Sequence, residues 1–342
     1  MRRPVRLGLI AAIIVIVGVG AYSWFWWVAA GKLKDGAAGW AEAARAQGID
    51  ASWQGLRVAG YPFRFRAELT GARLAGAVPG LTGELTAPFL TATIATTDLH
   101  AATLTAPEGL TLVGAGFGSL KAESGVGTVA AGAQGGAAIW LQLDAVTASA
   151  TAIPDGHAAA KTAQLWVDLP PTPARTHDDR TIGVALDLTG LSVPHAPQAL
   201  GATIDDAAVG ATLMGPVALG ASRQAAAAWR DGGGTLELNH LHLGWGGLDL
   251  DAKGTLALDR DLQPEGTVSG SLGGYDQLLG ALVAGGLVKG SDASRMRLVL
   301  GLLARPGPDG KPRLAAALSL QDGVLSMGPL TFGRVPRIEW GK

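Results

Sequence analysis

The chain has 342 residues, 48% of them apolar and only 16% charged, with 51 glycines and no cysteine. Its formal charge of −1 gives no electrostatic ground for binding nucleic acid or another polyanion. The missing cysteine excludes disulfides, thiolate metal sites, thiol catalysis and a lipid-bearing cysteine together.

Residues 7–30, LGLIAAIIVIVGVGAYSWFWWVAA, contain no charge. As a helix this run reaches about 36 Å, against a bilayer hydrocarbon core of about 30 Å. Arg2, Arg3 and Arg6 precede it, with Lys32 and Lys34 after it, so a cytoplasmic N-terminus (residues 1–6) and an exported remainder are expected. Trp24, Phe25, Trp26 and Trp27 fall at the far end, where an aromatic belt belongs. The competing reading is a cleaved signal peptide ending at Val28-Ala29-Ala30. The apolar run is long for that, and tryptophans crowd the site.

Residues 31–48 read as a short juxtamembrane helix, with Leu33, Ala37, Trp40 and Ala44 at helical spacing and Gly48 as its stop. From residue 49 to 342 the period changes to that of a β-rich exported domain. In GYPFRFRAEL, residues 60–69, Gly60 permits a turn and Pro62 suits the first position of a strand. Phe63, Phe65, Ala67 and Leu69 then share the buried face, and Arg64 and Arg66 stay wet.

The same alternation recurs in Ile139/Leu141/Leu143, Leu165/Val167/Leu169, Ile182/Val184/Leu186/Leu188, Leu236/Leu238 and Leu248/Leu250. One apolar face per strand predicts antiparallel sheet. Helices are predicted over 221–230, 275–288 and 291–305, the last two as a hairpin with Ser291 as N-cap. Residues 313–327 return to strand. The fold class is therefore mainly β: a long curved antiparallel sheet, groove-like or sandwich-like, with a few short helices after one N-terminal transmembrane helix.

Catalytic chemistry finds little foothold. His240 and His242 stand i,i+2 on one face of a strand, while Leu241 and Leu243 take the other. Zinc asks for three or four ligands and no third is near in sequence, so the pair reads more simply as solvent-facing. Thr176-His177-Asp178-Asp179 lies in a proline-rich turn region without a nucleophile, and Gly114-Ala115-Gly116-Phe117-Gly118 is not a phosphate-binding fingerprint. No catalytic, cofactor or metal site is expected.

Short motifs point to a family. The anchor with its tryptophans, the following helix and Gly60-Tyr61-Pro62-Phe63-Arg64-Phe65 resemble the start of the bacterial domain-of-unknown-function family DUF2125. Leu241 to Leu248 (LHLGWGGL), Lys253-Gly254-Thr255-Leu256, Gln263-Pro264-Glu265-Gly266 and Asp322-Gly323-Val324-Leu325 to Gly328-Pro329-Leu330 are similar to its later strands and turns. The resemblance implies a layout like that of AsmA-like envelope proteins, in which an apolar groove shields acyl chains, and carries no activity over to any residue. The expectation is an inner-membrane protein, periplasmic in bulk, that binds membrane phospholipid or serves envelope lipid homeostasis. The alternative is a scaffold with a closed core that binds other envelope proteins. Phe63, Phe65, Leu69, Leu186, Leu188, Leu236, Leu238, Leu241 and Leu243 are the candidate groove or core residues.

Overall fold

The computed structural model describes residues 3–78, 81–114, 118–132, 135–149, 156–194, 196–217, 222–286, 288–307, 310–327, 330–335, 337, 338 and 340. Side chains of residues 3–14, 77, 78, 81, 316, 327 and 330–333 lie outside that description, as does all of Arg2.

The first element is one helix of 44 residues, α1 (Arg3–Ala46). The apolar run and the juxtamembrane segment are thus one continuous rod, not two helices. A single glycine such as Gly31 costs a helix about 1 kcal/mol, which does not end one. Among the described residues no helix is long and apolar enough to cross a membrane; the run 7–30 begins where side chains lie outside the description.

Two short strands, β1 (Ile49–Ser52) and β2 (Gly55–Ala59), lie along one edge of the long β3 (Arg64–Val78). Strand β3 pairs with β4 (Leu81–Ala95), after which the row splits. β5 (Asp98–Ala106) and β6 (Leu110–Gly114) take different halves of β4. β7 (Gly118–Ala122) and β8 (Ser124–Ala131) carry those halves on to β9 (Ala137–Ser149).

From there the chain meanders through β10 (His157–Leu169), β11 (Arg180–Ser192) and β12 (Thr203–Met214). Helix α2 (Arg223–Asp231) intervenes, its N-terminus capped by Ser222, whose Oγ accepts from the Ala225 N–H at 3.2 Å. Next come β13 (Thr235–Trp245), β14 (Leu248–Leu258) and β15 (Pro264–Gly273). The predicted hairpin is present as α3 (Tyr275–Ala284) and α4 (Gly290–Leu303), although the cap position of α4 is Lys289, not Ser291. After the two-residue β16 (Arg305–Pro306), β17 (Pro312–Gln321) pairs with β15, and β18 (Val324–Met327) and β19 (Leu330–Arg334) finish the row.

All of these strands belong to one sheet, and every registered pairing is antiparallel. Among the described residues there is no second sheet to make a sandwich. Buried clusters are small. One gathers Ala122, Leu143, Val146 and Ala160 where the two halves of the row rejoin at β9, and another joins Leu200, Leu248 and Ala281 beneath α3.

Strand β3 starts later than its sequence pattern suggests. Gly60 has φ of 101°, and the Arg64 N–H donates to the Gly60 carbonyl at 3.1 Å, so residues 61–63 form a turn. Pro62, joined to Tyr61 by a cis peptide bond, is in that turn and not in the strand. Phe63 is consequently 76% exposed, whereas Phe65, one residue into the strand, is buried. The expectation that both rings share the buried face is corrected: alternation begins only once the chain is extended.

Candidate functional site

Registered pairing aligns the apolar residues of successive strands into ladders across the sheet. From β2 to β9 one ladder runs through Val58, Ala67, Ala92, Leu104, Gly127 and Leu141. It continues from β10 to β15 through Leu165, Leu186, Val209, Leu241, Ala252 and Gly270. Beside it, Phe65 begins a second apolar ladder that includes Val129, Val167, Val184, Leu238 and Leu318. A third joins Leu143, Ala163, Leu188, Ala207, Leu243, Leu250, Leu272 and Leu314. Leu236 lies opposite Leu213 and Leu256, and Leu69 opposite Leu56 and Leu90.

The intervening positions are mostly polar. The ladder next to the first reads Arg57, Glu68, Thr91, Thr105, Val126, Gln142 and Gln164, then Asp187, Ala208, His242, Asp251 and Ser271. One face of the sheet is thus apolar across twelve strands and the other is largely polar. Eleven steps of about 4.8 Å give that apolar face a width of roughly 53 Å along the sheet.

The parity of the leucines on β13 requires a device. Leu236 and Leu238 are even-numbered, Leu241 and Leu243 odd-numbered, yet all four share the apolar face. A register shift between Leu238 and Leu241, against Gly210/Ala211 on β12, accomplishes the change. Leu186, Leu188, Leu236, Leu238, Leu241 and Leu243 are each half-buried, and Val184 is 38% exposed. None is enclosed as a residue between two packed sheets would be.

The predicted aromatic belt divides. Trp24, Phe25 and Trp27 are exposed, while Trp26 is buried against the sheet. The Trp26 ring stacks on Phe65, with centroids 5.5 Å apart and planes 13° from parallel, and meets Tyr61 edge-on at 5.6 Å. Its Nε1–H donates to the Arg64 carbonyl at 3.3 Å. The Tyr22 hydroxyl donates to the Pro62 carbonyl, and Ser23 Oγ lies 2.7 Å from the Tyr61 hydroxyl. Ala30 completes the contact beside Val58. The stretch 60–65 is therefore the clasp that holds α1 to the sheet. Spacing alone could not show this, because Trp26 looks like its three aromatic neighbours. Arg3 and Arg6 lie in α1 with side chains outside the description.

On the polar face, folding gives His242 the partners that its own segment lacks. Nε2 lies 2.6 Å from Asp206 Oδ2 on β12, and Nδ1 lies 2.8 Å from Asp251 Oδ1 on β14. The hydrogen bond with Asp251 and the negative charge of Asp206 raise the imidazole pKa above its usual 6.5. Asp249 and Asp251 are joined in turn by Arg313, at 2.7 and 3.0 Å to the first and 2.6 Å to the second. The guanidinium holds the Asp249 carboxyl below its ordinary range.

His242, Asp249 and Asp251 present ligand atoms within 4.8 Å of one another, a spacing a divalent cation could use. Arg313 already supplies the positive charge there, so the set reads as an ion-pair network. The alternation Leu248-Asp249-Leu250-Asp251 was the sequence signal for it. His240 does not join, since it lies opposite Gly210, where an added Cβ would come within 2.3 Å of the imidazole. His177 lies 3.3 Å from the exposed Asp178.

No curated protein and no solved structure matches this chain. The family described as uncharacterised protein conserved in bacteria does match, over residues 26–336, a span that opens on the docked Trp26 and includes the clasp, the ladders and the His242 network. The chain belongs to the DUF2125 family.

Proposed function

We propose that this protein is held in the bacterial inner membrane by α1 and that its sheet, on the periplasmic side, shelters lipid acyl chains against its apolar face. The observation that carries the reading is the unbroken apolar ladder across the sheet with no second sheet over it among the described residues. Each acyl CH₂ removed from water is worth about 0.8 kcal/mol, so such a face needs no specific polar group to hold a chain. A closed-core scaffold would enclose the ladder leucines of β11 and β13, which are only half-buried.

Two features support the anchor. The run 7–30 carries no charge and follows Arg2, Arg3 and Arg6. Val15, Ile16, Val17 and Val19 stand exposed on α1, as do Trp24, Phe25 and Trp27. Single cysteines introduced at Pro4 and at Thr255 test the sidedness in intact cells. An impermeant maleimide added from the periplasm should label position 255 and not position 4, and the reverse pattern would refute the orientation.

The lipid reading is tested on the full chain purified in mild detergent. Extraction and mass spectrometry should find bound phospholipid, reduced about tenfold by Leu186→Asp or Leu241→Asp, a loss equal to about 1.4 kcal/mol. Circular dichroism checks that the variants keep the sheet. Lipid-free wild type, or equal lipid in all three proteins, would sink the reading.

A further inference from the structure

Helix α4 buries one residue, Ala293. Met296, Leu298, Val299, Leu302 and Leu303 are all exposed, Leu298 to 71% and Leu302 to 81%. Its C-terminal half, Leu298 to Leu303, is apolar on all sides and stands mostly exposed, a pattern that belongs in a protein core or in lipid. Its 14 residues make about 21 Å, too short to span a bilayer but suited to lying at its surface.

The charge nearby selects the surface. Between residues 276 and 311 the chain carries five Lys or Arg against three Asp, within a protein of net charge −1. Asp276 holds Arg297 at 2.8 Å and Asp292 lies 3.9 Å from Arg295, while Lys289 and Arg305 flank the two ends of the helix, both exposed. Apolar side chains ringed by cations are the arrangement of a helix that binds anionic lipid.

The hairpin also sits at one end of the apolar face. Leu278 and Ala281 of α3 pack with Leu243 and Leu272, and Leu272 is followed by Leu314 in the third ladder. α1 docks on β2 and β3, at the opposite end of the row of strands. We propose that α4 docks on an anionic bilayer surface, with Leu298, Leu302 and Leu303 among the acyl chains and Lys289, Arg295 and Arg305 at the headgroups. Resting on the lipid reading above, this gives the apolar face a second contact with membrane, where chains enter or leave.

The chain has no cysteine, so Leu302→Cys provides a single labelling position. The full chain, carrying an environment-sensitive fluorophore there, is reconstituted in vesicles of phosphatidylglycerol and phosphatidylethanolamine that include a nitroxide lipid. Further vesicles of the same composition are then added. Emission at position 302 should be quenched about threefold or more, with a label at Thr255→Cys on the polar face unaffected. Replacing phosphatidylglycerol by phosphatidylcholine, or adding Leu298→Asp, should relieve the quenching.

An unquenched label overturns the proposal, and so does self-quenching that grows with protein concentration, which would place a second copy on α4. The lipid-extraction result is read separately. Bound lipid with an unquenched label removes only the docking, and a quenched label on lipid-free protein removes only the sheet reading.

Discussion

His242 stands between two carboxylates on neighbouring strands, and a neutral imidazole has only one N–H to offer them. Protonation lets both ring nitrogens donate, which is the physical cause of its raised pKa. Asp206, Asp249, Asp251 and Arg313 are the charged groups around it. Because the folded pKa lies above the unfolded value near 6.5, the stability it contributes is complete below that pH. It is lost as pH rises through the folded value. His242→Gln should therefore lower the denaturation midpoint most on the acid side, with wild type and variant converging once the pH has passed the folded value. Urea titrations between about pH 5.5 and 9 read this directly, and a difference independent of pH would mean that the imidazole is not protonated in this network.

At the scale of elements, the join between α1 and the sheet is a small aromatic cluster around one stacked pair. Phe65→Ala should cost about 3 kcal/mol, the usual loss for a buried ring, and should free α1 from β3. Phe63→Ala should cost under about 0.5 kcal/mol, as an exposed residue does. Chemical unfolding in detergent gives the energies, and limited proteolysis at residues 47–54 reports the freed helix. Equal costs at the two positions would contradict the clasp.

The strands themselves were legible in the alternation of residues such as Ile182, Val184, Leu186 and Leu188. Strand onset at Arg64 was not, because the turn at Tyr61-Pro62-Phe63 uses the same residue types as the strand after it. The bulge in β13 was written in the parity change from Leu238 to Leu241, but reading it required knowing that both leucines face one way. The clasp was hidden because Trp26 and Phe65 lie far apart in sequence, and a membrane belt explains Trp26 equally well.

For the whole molecule, the sequence showed one apolar face per strand, which two stacked sheets and a single sheet both require. Only registered pairing between strands separates them, and it aligns Leu141, Leu165, Leu186 and Leu241 in one continuous ladder. The His242 network was only partly legible for a related reason: the alternation at Leu248 to Asp251 marked the carboxylates, but Asp206, Asp251 and Arg313 reach His242 from three other strands. The order of those strands also governs how the chain assembles. Most pair with the strand just before them, and the exceptions skip only one or a few short segments. Contacts between near neighbours in sequence carry a small loop-closure cost and form early. A chain made from its N-terminus can thus lay each new strand on the edge left by the last, so that the sheet lengthens in step with synthesis and needs no late closure between distant segments.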